Sequence, residues 1–158
     1  MINVPLEFAS SMIPLSWGDI NWGCKNHIID WSDAVTFAAD NLNSKSTSLE
    51  MDLSITDPSS TEDIKEIMEK LSAETSEKSN TEKRNWLIIV LSWIYNERQK
   101  YSDPLEIVEE IYADFDYPPE IESIVRYMPP SDGYDPSIHS LEENKERLME
   151  NWRKIIKI

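Results

Sequence analysis

Three observations predict an all-α fold, a single-domain bundle of about six or seven helices around a buried central helix at about 82–100. Apolar residues recur at helical spacing through most of the chain. Start signals such as Ser-x-x-Glu and Asp-Pro-x-Glu stand just ahead of those stretches. Residues 86–95, W-L-I-I-V-L-S-W-I-Y, hold Ser92 as their one residue that is neither apolar nor aromatic. A helix apolar on every side must be covered by neighbours all round, so this run is read as the central element. A chain of 158 residues suits one domain, 1–158, with a core that needs no covalent staples.

Residues 4–13 place Leu6, Phe8, Met12 and Ile13 in a loosely helical pattern that Pro14 stops. Residues 16–29 contain Trp17-Gly18 and Trp22-Gly23, pairs that leave room for close packing in a short helix or helical turn. Asp30 or Ser32 can cap the next helix, with Val35, Ala38, Ala39 and Leu42 on one face and an end near Leu42. In residues 49–55, Leu49, Met51, Leu53 and Ile55 alternate with Glu50, Asp52 and Ser54, a period of two that suggests a strand. No second clear strand offers to pair with it, so an extended segment laid on helices is an equal reading. Ser59 and Glu62 form a capping box for a helix with Ile64, Ile67, Met68 and Leu71 inward, and residues 74–80 make a polar connection.

Ser79 with Glu82 opens the central helix, whose length of roughly 19 residues spans about 28 Å. Asp103, Pro104 and Glu106 start the next, with Leu105, Val108, Ile111, Tyr112 and Phe115 inward. Pro118-Pro119-Glu120 begins another, lined by Ile121, Ile124, Val125 and Met128 and stopped by Pro129-Pro130. After the turn-rich S-D-G-Y-D-P, Ser140 and Glu143 cap the last helix, whose buried stripe is Leu141, Leu148, Trp152 and Ile155. Arg153, Lys154 and Lys157 near its end suit the macrodipole.

Charge narrows the function. The chain carries 30 acids against 15 bases, a formal −15, a field that repels phosphate backbones and argues against nucleic acid. The same field favours encounter with basic partners. Residues 86–95 are half the ~20 that a membrane span requires, and Lys83, Arg84, Glu97 and Arg98 flank them, so no membrane is expected. The first basic residue is Lys25, which is unlike a secretory signal, and a lone Cys24 excludes a disulfide framework; a cytoplasmic setting fits.

The charge is also localised. Residues 102–136 contain ten acids and one base, Arg126, and so carry −9 of the −15. Glu106, Glu109, Glu110 and Ala113 share a helix face opposite the apolar one. Outward carboxylates on an amphipathic helix are ordinary, but here Tyr117, Tyr127 and Tyr134 interleave with acids, a composition suited to a basic protein surface. Enzyme chemistry is less well supported. Cys24, His27 and Asp30 lie about one helical turn apart, yet three groups from one segment leave a metal site incomplete, and catalytic Cys and His usually come from different elements. Asp114-Phe115-Asp116 begins like a calcium loop, but Pro118-Pro119 stand where small polar residues are needed. The carboxylate face lacks a second cluster to complete a dimetal site, and three glycines in the chain leave no phosphate-cradling loop.

Residues 15–38, L-S-W-G-D-I-N-W-G-C-K-N-H-I-I-D-W-S-D-A-V-T-F-A, together with residues 103–130 and the E-N-K-E-R-L-M-E-N-W near the end, resemble a bacterial family of short acidic proteins of unknown function. The resemblance covers nearly the whole chain. Members of that family look like the immunity proteins encoded beside polymorphic toxins, which implies a cytoplasmic antitoxin that binds a toxin domain. The family has no catalytic motif, so no functional residue is carried over.

The expectation is therefore a non-enzymatic binding protein, without cofactor or metal, that neutralises a basic, nuclease-type toxin through an acidic helical face. Its candidate partner-binding residues are Glu106, Glu109, Glu110, Asp114, Asp116, Tyr117, Asp132, Tyr134 and Asp135. The alternatives are a metal-dependent hydrolase using the clustered carboxylates and a helical scaffold subunit that self-associates.

Overall fold

The computed structural model describes residues 1–75 and 79–157, without the side chains of Thr75 and Ser79. Every regular element among the described residues is helical. The α-helices are Leu6–Met12 (α1), Trp17–Lys25 (α2), Trp31–Asp40 (α3), Ser48–Ser54 (α4), Thr61–Thr75 (α5), Ser79–Asn96 (α6), Pro104–Asp114 (α7) and Leu141–Ile156 (α8). Three 3₁₀ turns, Arg98–Lys100, Pro119–Ile124 and Pro136–Ile138, complete the set. The chain groups into two compact units, Met1–Trp86 and Leu87–Ile158, and α6 runs from the first into the second. Within residues 86–95, Trp86, Leu87, Ile89, Val90, Leu91, Ser92 and Ile94 are buried, positions that go all round the helix, as an apolar run requires.

In the first unit, α2 and α3 pack on α5, and α4 lies against α3 and α5. A reciprocal box starts α2: Ser16 Oγ accepts the Asp19 N–H at 3.0 Å, and the Asp19 carboxylate accepts the Ser16 N–H at 2.9 Å. Glycine then sets the packing distance. A Cβ on Gly23 would stand 2.5 Å from Trp86 Cζ2, so the indole can lie against α2 only where no side chain intervenes. That indole is fully buried and donates its Nε1–H to the Asp19 carbonyl at 2.7 Å.

α2 ends in a Schellman reversal, with His27 N–H donating to Cys24 O at 3.2 Å and Ile28 N–H to Gly23 O at 3.0 Å. His27 occupies the left-handed position, φ 60°, that glycine usually fills. Its ring is exposed, so His27→Gly relieves local strain without opening a cavity. We expect a gain of about 0.5 kcal/mol, the left-handed penalty less the added freedom of glycine in the unfolded chain. Urea unfolding measures it, and a loss of stability would show that the imidazole's own contacts outweigh the strain.

Residues 49–55 are not extended: they form most of α4. Thr47 Oγ1 accepts the Glu50 N–H at 3.3 Å and the Glu50 carboxylate accepts the Thr47 N–H at 3.1 Å, a helix-starting box that a lone strand has nothing to offset. On that helix the alternating residues divide: Leu53 is buried and Leu49 half-buried, whereas Met51 and Ile55 are exposed. The buried face of α3 is Ala34, Val35, Phe37 and Ala38; Ala39 is exposed within the helix, and Leu42 is exposed beyond its end at Asp40. α5 buries Ile64, Met68 and Leu71 as expected, but Ser59 does not cap it. Its hydroxyl donates to Asp57 Oδ1 at 2.8 Å, and the helix begins at Thr61. The capping expected of Ser79 rests on a side chain outside the described residues, as does part of the connection at 74–80.

In the second unit, α7 and α8 both contact the 3₁₀ turn Pro119–Ile124. An α-helix through Met128 was expected there. Instead the bonds run i to i+3, with Ile121 N–H to Pro118 O at 3.2 Å and Val125 N–H to Glu122 O at 3.1 Å, and Val125 leaves the turn extended at φ −96°, ψ 118°. Ile121, Ile124 and Val125 are still buried, so the apolar residues do their work in a shorter, tighter element. Asn151 of α8 donates its Nδ2–H to Ser123 O at 3.0 Å, satisfying a carbonyl that an α-helix would have used internally.

α8 starts at Ser140, whose Oγ accepts the Glu143 N–H at 3.1 Å. The Glu143 carboxylate turns to His139 Nδ1 at 2.8 Å, so only half of the capping box forms. Trp152 is fully buried, Leu148 and Ile155 are half-buried, and Leu141 is 89% exposed: the expected stripe is covered at one end only.

Candidate functional site

α7 carries four acids and no base, and is built as the sequence predicts on its inner side. Asp103 Oδ1 accepts the Glu106 N–H at 3.4 Å, Pro104 occupies the first turn, and Leu105, Val108, Ile111, Tyr112 and the following Phe115 are buried. Outside, Glu106, Glu110 and Asp114 are exposed at successive four-residue steps. Glu109 does not belong with them. It is half-buried and accepts two bonds from Arg126, Nε to Oε1 at 2.8 Å and Nη2 to Oε2 at 3.2 Å. The same guanidinium reaches Asp103 Oδ2 at 2.7 Å.

The lone base of residues 102–136 thus straps the first two turns of α7 to the segment after the 3₁₀ turn. Burial alone would raise the Asp103 carboxyl, but the guanidinium outweighs it and holds the group below the usual carboxylate range. Glu109, ahead of Asp103, pushes the Arg126 guanidinium further up, so that side of the pairing stays charged at any ordinary pH.

The end of α7 shapes the rest of the face. Asp116 N–H donates to Ala113 O at 3.1 Å and Tyr117 N–H to Tyr112 O at 2.8 Å, a second Schellman reversal. Here two successive non-glycine residues, Asp116 at φ 60° and Tyr117 at φ 56°, take the left-handed conformation. The reversal brings Tyr117 back over its own helix. Its ring meets the buried Tyr112 edge-on at 5.2 Å and 84°, and Tyr127 approaches the same ring at 6.1 Å. Tyr117 and Tyr127 are each 59% exposed, while Tyr112 is buried and directs its hydroxyl to Glu122 Oε1 at 3.4 Å.

The remaining candidates serve the loop before α8. Asp132 accepts Arg147 Nη2 at 2.7 Å and the Tyr134 N–H at 3.2 Å; the Arg147 hydrogen bond holds its carboxyl below the usual range. The Tyr134 ring lies between the Arg147 guanidinium at 4.1 Å and the His139 imidazole, stacked at 4.6 Å, and its hydroxyl bonds to Asn144 Oδ1 at 2.7 Å. Asp135 accepts the Ser137 hydroxyl at 2.6 Å and its N–H at 3.0 Å, bonds that keep its carboxyl low. Of the nine candidate residues, Glu106, Glu110, Asp114, Asp116 and Tyr117 stand exposed on α7 and its reversal. Glu109, Asp132, Tyr134 and Asp135 are engaged within the unit. Tyr112, the ring beneath the exposed pair, is read in the sequence as core alone.

In the Cys24, His27 and Asp30 trio the thiol is buried while the other two residues are exposed. The Cys24 thiol is buried and donates to Asp30 O at 3.4 Å; burial first, then Asp33 and Asp30, push it up to about 12, which leaves it protonated and unreactive. His27 points to solvent at the end of α2. No group of three or more His, Cys, Asp or Glu side chains able to hold a metal ion occurs among the described residues. No helix among them is long and apolar enough to cross a membrane.

No curated protein and no solved structure matches the chain. A family model does, over residues 6–158, and the chain therefore belongs to DUF2247, a family described as an uncharacterized protein conserved in bacteria.

Proposed function

We propose that this protein is a non-catalytic binding module that docks on a basic protein surface through the exposed acids of α7 and the tyrosines at its end. Its setting is a cytoplasmic immunity protein neutralising a nuclease-type toxin domain. The observation that carries the reading is the tyrosine cluster: Tyr117 and Tyr127, each 59% exposed, braced against the buried Tyr112, with Asp116 next in the chain. Braced rings lose little side-chain entropy on contact, and tyrosine is enriched among the residues that dominate binding energy. A lysine or arginine laid over such a ring contributes about 0.5–2 kcal/mol. Glu106, Glu110 and Asp114 supply the field that draws a basic partner in, an effect on association rate more than on final affinity.

A toxin domain encoded by an adjacent gene is expected, and that domain is the binding probe; a neighbourhood without one would count against the immunity setting. The triple charge reversal Glu106→Lys, Glu110→Lys, Asp114→Lys should slow association by about 10- to 100-fold at low salt and flatten its salt dependence, leaving the fold intact. Tyr117→Ala should instead raise the dissociation rate, by about tenfold or more. Stopped-flow mixing separates the two, and wild-type rates for both variants would overturn the reading.

A further inference from the structure

The second unit contains a cleft that the exposed face of α7 does not use. It encloses about 740 Å³ between the chain following the 3₁₀ turn, the loop at 131–136 and the inner side of α8. That volume falls among small-molecule sites, which run from about 300 to 1,000 Å³ and are mostly apolar with a few placed polar groups. Leu105, Val125, Met128 and Leu148 supply apolar wall here.

Two further observations fix the character of the site. The apolar stripe of α8 is covered at Trp152, half-covered at Leu148 and open at Leu141, and both leucines line the cleft. The less covered part of an amphipathic helix therefore faces the concavity. The charges that line the cleft are mostly satisfied: Asp103 pairs with Arg126 and Asp132 with Arg147, each at 2.7 Å, and Glu122 accepts from the Tyr112 phenol. Lys145 lines it too, exposed, with no carboxylate partner among the described residues.

We propose that this cleft binds a small molecule with an apolar body and an anionic end. The body lies on Met128, Leu148 and Leu141, with the buried Leu105 and Val125 behind them, and the anion meets Lys145 at the mouth. A concavity of this size buries most of such a ligand, whereas a flat protein surface would leave it unfilled. In a chain of net charge −15, an anion is accepted only where a cation is locally uncommitted, which Lys145 provides.

The probe is 8-anilinonaphthalene-1-sulfonate, an apolar body with one anionic group, titrated into the full chain by fluorescence beside the uncharged N-phenyl-1-naphthylamine. We expect saturable binding of both at one site. Lys145→Glu should weaken the anionic probe by about tenfold and leave the neutral one unchanged, in keeping with a loss of about 1.4 kcal/mol. Lys154→Glu, on the same helix and outside the cleft, should change neither. Met128→Trp, which projects an indole into the cleft, should weaken both by about tenfold, and Ser131→Trp at the exposed rim does the same should the first variant fail to fold. Binding at wild-type affinity in both tryptophan variants would overturn the site, as would binding without saturation. Equal loss of both probes in Lys145→Glu would overturn the anionic end. A dimer in the wild type that Ser131→Trp converts to a monomer would replace the ligand with a second copy of the chain.

Discussion

Trp86→Ala should remove about 3–5 kcal/mol from the first unit, a large part of the roughly 5–15 kcal/mol that holds an ordinary domain together. The indole is fully buried and donates to the Asp19 carbonyl at 2.7 Å, so truncation combines lost burial with an unfilled cavity and a buried acceptor left without that donor. The companion variant makes the argument specific. Gly23→Ala places a methyl 2.5 Å from Trp86 Cζ2 and 2.8 Å from Cε2, atoms of a rigid ring that cannot fold away. In the native background it should cost about 1–3 kcal/mol. In the Trp86→Ala background the ring clash is gone and the nearest remaining atom is Ile29 Cγ1 at 3.1 Å, which can shift into the vacated space, so the same change should stabilise by about 0.5–1 kcal/mol, because alanine suits a helix interior better than glycine. The sign reversal is the signature. Urea unfolding of the four proteins reads it as a coupling energy of about 2 kcal/mol or more, and additivity to within about 0.5 kcal/mol would show that the indole does not rest on Gly23.

The positions where sequence reading succeeds and fails follow from what each signal encodes. Helical spacing was sufficient for α5 and α7, whose inner faces at Ile64, Met68 and Leu71 and at Leu105, Val108, Ile111 and Tyr112 are buried as expected, although Ile67 is only half-buried and α5 starts without Ser59 as its cap. Residues 49–55 were misleading because Leu49 and Leu53 fit both periods: they alternate with polar residues, and they also lie four apart. The Thr47 and Glu50 box, just upstream, decided between them. At 119–124 the apolar spacing was helical, but the element closed as a 3₁₀ turn, its Ser123 carbonyl taken by Asn151 of α8, a tertiary bond that local spacing does not record. Of the candidate face, residue types were legible and alliances were not. Arg126 selects Glu109 and Asp103 from ten acids through tertiary position, which no local pattern records. The tyrosine cluster depends on Asp116 and Tyr117 adopting positive φ, a conformation that sequence announces through glycine, and neither residue is glycine.

Trp152→Ala should cost the second unit about 3–5 kcal/mol, while Leu141→Ala, on the same apolar stripe of α8, should change stability by no more than about 0.5 kcal/mol. Trp152 is fully buried, donates its Nε1–H to Leu91 O at 3.2 Å and meets Tyr95 edge-on at 5.3 Å, so its loss combines cavity, hydrogen bond and ring contact. Leu141 is 89% exposed and has little burial to lose. Trp152→Phe separates the contributions: it keeps a ring in place but removes the donor and part of the volume, and should fall between, at about 1–3 kcal/mol. Thermal and urea unfolding check the order Trp152→Ala, Trp152→Phe, Leu141→Ala. A cost at Leu141 approaching that at Trp152 would mean that something covers the first turn of α8 in solution. Periodicity fixes which way a residue points along a helix, but coverage depends on what is packed there. On α8 the two part company between Trp152 and Leu141, and the uncovered leucine lines the cleft to which we assign a ligand.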